Sequence, residues 1–321
     1  MTLLAAGGTI AMRGEAGGPA TPDLDADALV AAVPALAAHA DLQARTVDTR
    51  PGAQLDAAGA LAVARAAAQE ADGGRGVVVT HGTDTLEETA FLCDLIYGGG
   101  TPVVFTGAIR PASNDGADGP ANLLDAVAAA SSEKTAGLGV LVAFGGELHA
   151  ARSVRKTDST GPSAFASPGL GPLGNAGEGR VWIGRRVERH APLAVARLDA
   201  AVHVVTAGLG TDGALLDAAL AAGADGLVLV ALGAGHLPPL MLRALERAAA
   251  RVPVVLTVRP ERGAIMHATY GFEGAEGGLR ASGAVCAAAL SPAAARIKLM
   301  ACLGAGLDAA GIAAAFAADD R

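Results

Sequence analysis

The sequence predicts an α/β protein of two domains, with a larger N-terminal, mostly parallel sheet flanked by helices and a smaller C-terminal α/β domain. Short β-branched runs alternate with Ala- and Leu-rich segments of helical periodicity, as in parallel sheets. The 321 residues exceed the usual size of a single core, and 51% of them are hydrophobic. The alternation weakens around 190–199, which we interpret as a linker between domains spanning 1–189 and 200–321.

Strands of the first domain are predicted within 2–10 and at 77–80, 102–106 and 139–144. Asp25 and Asp56 are expected to cap helices, and Thr85 with Glu88 matches a Ser/Thr-x-x-Glu capping box. Residues 12–22 are rich in Gly and Pro and predict a mobile loop. The second domain repeats the alternation, with strands at 202–206, 226–230 and 252–257.

Two of the strands end in turns that carry threonine. Thr83 and Asp84 follow the Val-rich run at 77–79, and Thr9 follows a Gly pair after the first strand. Because the carboxyl ends of parallel strands meet at one edge of a sheet, where open α/β folds bind ligands, we expect these turns to form a site. The alternative for the second turn alone is that Asp84 and Thr85 only cap a helix.

Composition and charge narrow the function classes. The net charge of −8 and the pI near 5.3 argue against a nucleic-acid partner, and apolar runs are too short for a membrane span. No basic segment precedes an apolar run at the N-terminus, so a cytoplasmic protein is expected, with a trimmed mature form as the alternative. We therefore expect a small-molecule partner.

No cofactor or metal is expected from the motifs. The run GLGTDG at 208–213 fits a dinucleotide fingerprint, but the acidic residue needed about 20 residues later is missing. No lysine follows a glycine, which excludes a Walker A loop. The three cysteines lack metal-ligand spacing.

Four blocks of the N-terminal domain resemble the bacterial-type L-asparaginases. In chain order they are Gly-Gly-Thr-Ile-Ala at 7–11, His-Gly-Thr-Asp-Thr at 81–85 with Glu-Glu-Thr-Ala at 87–90, Gly-Ala-Ile-Arg-Pro at 107–111 with Asp-Gly-Pro at 118–120, and Lys-Thr at 156–157. Their order and spacing match the family, and a looser similarity continues through the second half. The resemblance implies hydrolysis of L-asparagine to L-aspartate and ammonia.

The resemblance also implies which residues act. Thr9 is the expected nucleophile that forms an acyl-enzyme, and Thr83, Asp84 and Lys156 form a relay that activates a hydroxyl or water. A lysine serves as a base only when its neutral form is accessible, which an arginine cannot provide. A surface lysine on a hairpin is the alternative for Lys156.

Substrate contacts are expected from Ala53, Gln54, Thr83, Asp84 and Ala108, with the Asp84 carboxylate on the substrate ammonium. The family usually has Ser where this chain has Ala53, which removes one hydroxyl contact. The family also has a tyrosine in the mobile loop, and none lies between 12 and 55 here.

Tyr270 falls near the position at which the family takes an acidic residue from a neighbouring subunit. We predict that Tyr270 of a partner chain assists Thr9 or binds the substrate ammonium, with packing inside the C-terminal domain as the alternative. The family further implies a homo-oligomer, a dimer or a dimer of dimers.

Two other functions are compatible with the residues. L-Glutamine differs from L-asparagine by one methylene, which a pocket discriminates by only about 1–3 kcal/mol, so a glutaminase-asparaginase of mixed specificity is one alternative. The missing loop tyrosine and Ala53 also allow an amino-acid sensor without turnover. The chain resembles, in addition, the amidase part of archaeal glutamyl-tRNA amidotransferases, which carry a further N-terminal domain.

Overall fold

The computed structural model describes residues 1–15, 18–38, 41–287 and 289–318. The chain divides into two compact units, Met1–Pro192 and Leu193–Arg321. Each is an α/β unit with its own sheet and core, which confirms the predicted fold class.

The first unit is built around one large mixed sheet of eight strands, and two short strand pairs lie outside it. The strands of the unit are β1 (Thr2–Ala6), β2 (Met12–Arg13), β3 (Thr21–Pro22), β4 (Gln43–Asp48), β5 (Val77–His81), β6 (Val103–Thr106), β7 (Val140–Phe144), β8 (Glu147–Ala150), β9 (Arg155–Lys156), β10 (Phe165–Ala166), β11 (Gly174–Gly177) and β12 (Arg180–Ile183). Its α-helices are α1 (Ala26–Ala31), α2 (Ala57–Asp72), α3 (Leu86–Ile96) and α4 (Gly119–Ser131). The strand order of the large sheet is β12-β11-β8-β7-β6-β5-β1-β4, and the short pairs outside it are β2 with β3 and β9 with β10.

The parallel part of this sheet runs from β4 through β1, β5 and β6 to β7. Leu3, Val78 and Val104 face a core that includes residues of α1 and α4. The alternate residues Val79 and Phe105 are equally buried. Both faces of the interior strands are therefore covered, which explains why β1, β5, β6 and β7 are continuous apolar runs, unlike the edge strand β4.

Local sequence explains most helix starts. The side chains of Asp25 and Asp56 accept hydrogen bonds from the backbone N–H groups of Ala28 and Gly59, as predicted. The predicted capping box at Thr85 is wrong, because Thr85 makes no side-chain cap and donates its hydroxyl to the Gly52 carbonyl at 3.0 Å. A tertiary contact has replaced the local one.

Two further differences concern the first 55 residues. The segment predicted as a structureless loop is anchored at both ends, because β2 and β3 pair in antiparallel fashion. The strand β4 was not predicted, because as an edge strand it is polar and partly exposed. It extends the parallel sheet beyond β1.

The second unit has a four-stranded parallel sheet in the order β13-β14-β15-β16. Its strands are β13 (Val202–Thr206), β14 (Gly226–Ala231), β15 (Val254–Val258) and β16 (Val285–Cys286). Its helices are α5 (Ala214–Ala221), α6 (Pro239–Ala249), α7 (Glu276–Ala281), α8 (Pro292–Gly304) and α9 (Ala309–Ala317). Across the described parts of both units, every helix is too short or too polar to cross a bilayer.

Three glycines bring the turns after β4, β1 and β5 into backbone contact. A Cβ atom on Gly8 would collide with the Cα of Gly82, and one on Gly82 would lie 2.6 Å from the Gly52 nitrogen. Gly8 also has φ 83° and ψ 177°, a conformation that is essentially restricted to glycine. Side chains are thus excluded from the point where the three turns meet.

We expect Gly8→Ala to destabilise the protein more than Gly74→Ala. Both glycines have positive φ, but nothing lies within 4 Å of a Cβ atom at Gly74. Overpacking adds about 1–3 kcal/mol to the strain of the positive φ. The apparent Tm of Gly8→Ala, followed by circular dichroism, should lie at least about 4 °C below that of Gly74→Ala. Equal values would contradict the close packing of the turns.

Candidate active site

The candidate site lies at the carboxyl edge of the parallel strands in the first unit. The register of β1 with β5 pairs Ala6 with His81, so the turns that begin at Gly7 and Gly82 leave the sheet side by side. The turn after β6 joins them, because a Cβ atom on Gly107 would lie 3.3 Å from the Thr83 methyl group. The strand order therefore assembles turns that are far apart in the sequence.

Lys156 connects two of the predicted residues. Its Nζ donates to Thr83 Oγ1 at 3.0 Å and lies 3.2 Å from Asp84 Oδ1. The Thr83 residue is 5% exposed, whereas the side chains of Lys156 and Asp84 are 21% and 59% exposed. The amine is thus partly sheltered and hydrogen-bonded to a buried hydroxyl, unlike a lysine on a solvated hairpin.

Thr9 begins a short 3-10 turn, Thr9–Ala11, directly after Gly7 and Gly8. Thr9 is partly exposed, while Ile10 and Ala11 are buried and anchor the turn in the core. The contact between Gly8 and Gly82 brings this turn against the one that carries Thr83. Thr9 is thus the partly exposed residue of a turn that is anchored in the core.

The predicted substrate-binding residues of the first unit also lie on these turns. Ala53 and Gln54 are exposed in the 3-10 turn Gly52–Gln54, which contacts Gly82. Ala108 is fully buried and follows β6. The sheet edge thus brings the turns of Gln54, Thr83 and Ala108 next to one another.

Two polar side chains that sequence analysis left without a role hold the turn after β6, the partly buried Asp118 and the buried Asn122. Asp118 accepts from the backbone N–H groups of Ile109 and Arg110 at 2.8–3.1 Å. Asn122 donates to the Gly107 carbonyl at 3.0 Å and accepts from the Gly145 N–H at 3.0 Å. In the sequence, Asp-Gly-Pro at 118–120 predicts the start of a helix, but it does not predict the hydrogen bonds that Asp118 accepts from the turn after β6.

The buried side chain of His81, the last residue of β5, stabilises the turn that follows this strand. Its Nδ1 lies 2.9 Å from the carbonyl oxygen of Gly82, which can only accept, so Nδ1 carries the proton. Burial lowers the pKa of His81, and the imidazole is therefore neutral. This histidine orients the backbone that precedes Thr83.

Glu87 is a further residue that sequence analysis assigned no function. It lies in the first turn of α3, and its Oε2 accepts a hydrogen bond from the backbone N–H of Lys156. Burial raises the pKa of Glu87 above its usual value. An acidic residue in a first helical turn is so common that the sequence carries no signal for this contact.

Tyr270 lies in the second unit, where it is 48% exposed. Its ring packs edge-on against His236, with ring centroids 4.9 Å apart, and Phe272 lies beside both. Its backbone N–H donates to the buried Glu276 at 2.8 Å. Burial alone would raise the pKa of Glu276, but the N–H groups of Tyr270 and Thr269 hold it below its usual value.

The described residues hold no group of three or more His, Cys, Asp or Glu side chains arranged to bind a metal ion. The site described above instead consists of hydroxyls, one amine, carboxylates and backbone N–H groups.

Known proteins share this architecture. The Campylobacter jejuni protein "Probable Cytoplasmic L-asparaginase" has a crystal structure that superimposes with a TM-score of 0.87, at 30% identity over 98% of each chain. A "Probable L-asparaginase" from Deinococcus radiodurans is 42% identical over 241 residues, 74% of each chain. A "Probable L-asparaginase periplasmic" from Haemophilus influenzae is 35% identical over 290 residues, 85% of this chain and 82% of its own.

Two family profiles also match. The one described as "Asparaginase, N-terminal" matches residues 1–189, and the one described as "Glutaminase/Asparaginase C-terminal domain" matches residues 201–316. These matches and the shared architecture establish that the chain belongs to the asparaginase family.

Proposed function

We propose that the protein hydrolyses L-asparagine to L-aspartate and ammonia, with the chemistry carried by an N-terminal catalytic domain at 1–189. A linker around 190–199 joins it to the C-terminal domain at 200–321. The observation that carries the proposal is the Lys156 amine, bonded to Thr83 and Asp84 beside the turn of Thr9. The names of the relatives from Deinococcus and Campylobacter support the same activity.

Thr9 is the nucleophile of the first step. Its Oγ1 forms a bond to the carboxamide carbon, the C–N bond breaks, and the hydroxyl proton is transferred to the leaving nitrogen to give ammonia. Water then attacks the resulting ester, its proton returns to Oγ1, and aspartate leaves. Both steps need a group that accepts and returns a proton near the hydroxyl.

Thr83 and Lys156 supply that relay. The Thr83 hydroxyl accepts from Lys156 Nζ in the free protein, and a neutral Nζ could accept the Thr83 proton in return. The carboxylate of Asp84, 3.2 Å from Nζ, orients the amine toward Thr83.

Recognition of the substrate uses the exposed side of the same turns. Asp84 binds the α-ammonium group, and the Gly52–Gln54 turn binds the α-carboxylate through its backbone and Gln54. Ala53 offers no hydroxyl here, so backbone N–H groups carry this contact. The turn at Thr83 and Ala108 receives the side-chain amide.

We infer that the active enzyme is a homo-oligomer, a dimer or a dimer of dimers, in which Tyr270 of a partner chain completes the site. The support is the half-exposed Tyr270, whose ring packs against His236 and Phe272. We also propose a cytoplasmic location, as the Campylobacter protein's name states for that protein; recovery in an osmotic-shock fraction would contradict it.

Thr9→Ala should lower the rate of ammonia release from L-asparagine at least about 10³-fold, because it removes the attacking oxygen. Thr206→Ala, which removes an exposed threonine hydroxyl in the second unit, is the matched control and should keep full activity. A coupled ammonia assay on L-asparagine and L-glutamine measures both variants. A wild-type protein whose Tm rises with asparagine but which releases no ammonia would be a sensor.

Lys156→Arg should lower kcat about 100-fold with little change in KM, because arginine keeps the positive charge but does not titrate. Lys134→Arg is the matched control, since Lys134 Nζ donates only to the Val181 carbonyl at 2.8 Å among the described residues. Steady-state kinetics of both variants check the prediction. An unchanged kcat for Lys156→Arg would contradict proton transfer through Lys156 and would leave it only a structural role.

Tyr270→Phe should lower kcat about tenfold or more, because the hydroxyl is lost while the ring is kept. Tyr97→Phe is the control, since the buried Tyr97 hydroxyl donates to the Thr101 carbonyl at 2.9 Å, away from the sheet edge. Mixed oligomers of Thr9→Ala and Tyr270→Phe chains should regain activity, since one of their shared sites has both native residues. No recovery, or unchanged turnover, would remove the proposal.

A further inference from the structure

Lys156 has little regular structure of its own to hold it. It lies in β9, a two-residue strand whose pairing partner is the equally short β10, with Lys156 opposite Phe165. Such a short ladder restrains a side chain weakly. The position of Nζ therefore depends on contacts from outside β9.

Those contacts come from the same turn and helix start that carry Thr83. The backbone N–H of Lys156 donates to Glu87 Oε2, while its Nζ donates to Thr83 and Asp84. Glu87 follows Thr83 by four residues, in the first turn of α3. Lys156 is thus clamped at its backbone and at its amine by one short segment 69 to 73 positions away in the sequence.

The charge of Glu87 determines the strength of the backbone clamp. An ionised carboxylate forms a short, charge-assisted bond to an N–H group, about twice as strong as a neutral one. Burial raises the pKa of Glu87 and the nearby Glu88 raises it further, whereas the Lys156 N–H and the charges of Arg155 and Lys156 lower it. The net effect raises the pKa of Glu87 above its usual value, and burial is the main cause.

We propose that Glu87 is a positioning residue for the reaction, whose ionised carboxylate fixes the Lys156 backbone so that Nζ reaches Thr83. Protonation of Glu87 weakens this bond and lets the amine leave the hydroxyl. Glu87 is then the origin of the acid limb of the pH–rate profile. This inference rests on the proposed hydrolysis of asparagine and adds a regulating group to the same site.

The proposal gives activity and stability opposite dependences on pH. kcat should rise as the pH passes the raised pKa of Glu87 from below, because the ionised form holds Lys156. A raised pKa in the folded state means that the native protein binds more protons than the unfolded chain. The contribution of Glu87 to stability is therefore complete below the pKa of the unfolded chain and is lost as the pH rises through that of the folded protein.

The test measures kcat and KM from about pH 4.5 to 9 for the full-length wild type, Glu87→Ala and Glu87→Gln. Glu87→Ala should lower kcat about 10–100-fold with KM changed less than about threefold, since the amine is misplaced. Glu87→Gln keeps an accepting oxygen and should recover most of the loss, but without the acid limb. Glu246→Gln, an exposed glutamate of the second unit, should match the wild type.

A second measurement does not depend on turnover. Acetic anhydride labelling followed by mass spectrometry should modify Lys156 several-fold faster in Glu87→Ala than in the wild type, with Lys134 as the internal reference. A wild-type acid limb in Glu87→Gln, or unchanged Lys156 labelling in Glu87→Ala, would overturn the inference. A wild-type protein that releases no ammonia would instead refute the proposed hydrolysis, and the labelling result would still decide the role of Glu87.

Discussion

The close contact of three backbone turns at the end of the parallel sheet is the constraint on which the site depends. Gly8, Gly52 and Gly82 meet where no side chain fits, and the Thr85 hydroxyl ties two of these turns together through the Gly52 carbonyl. This contact and the register of β1 with β5 together fix the turn of Thr9 against that of Thr83. The interior strands β1, β5, β6 and β7 of the sheet, which are buried on both faces, support this contact.

Sequence reasoning predicted the neighbouring turns of Thr9 and Thr83 because apolar strand runs followed by glycine are visible in the sequence. The valine run before Thr83 and the Gly pair before Thr9 predicted two adjacent turns, and the structure has them side by side. It failed where long-range partners compete with local ones. Thr85 has the correct spacing for a capping box, yet a carbonyl 33 residues away takes its hydroxyl.

The supporting residues could not be found in the same way. Glu87 has the composition of an ordinary first helical turn, and only the fold brings the Lys156 backbone to it. Asn122 lies inside an apolar helical stretch, where its side chain donates to the Gly107 carbonyl and accepts from the Gly145 N–H, and so joins two loops. The strand β4 was not predicted because it is an edge strand with partly exposed polar residues, so its sequence lacks the apolar pattern of a strand. Contacts between distant segments leave no periodic trace in a sequence.

The position of β1 in the sheet limits how the site can adjust. β1 lies between β4 and β5 and pairs with both, and Leu3 and Leu4 are fully buried. Amide hydrogens of such a strand exchange with solvent only through opening of the whole unit. The turn that carries Thr9 therefore starts from a strand that is held on both sides, and its backbone should resist local opening as strongly as the centre of the sheet.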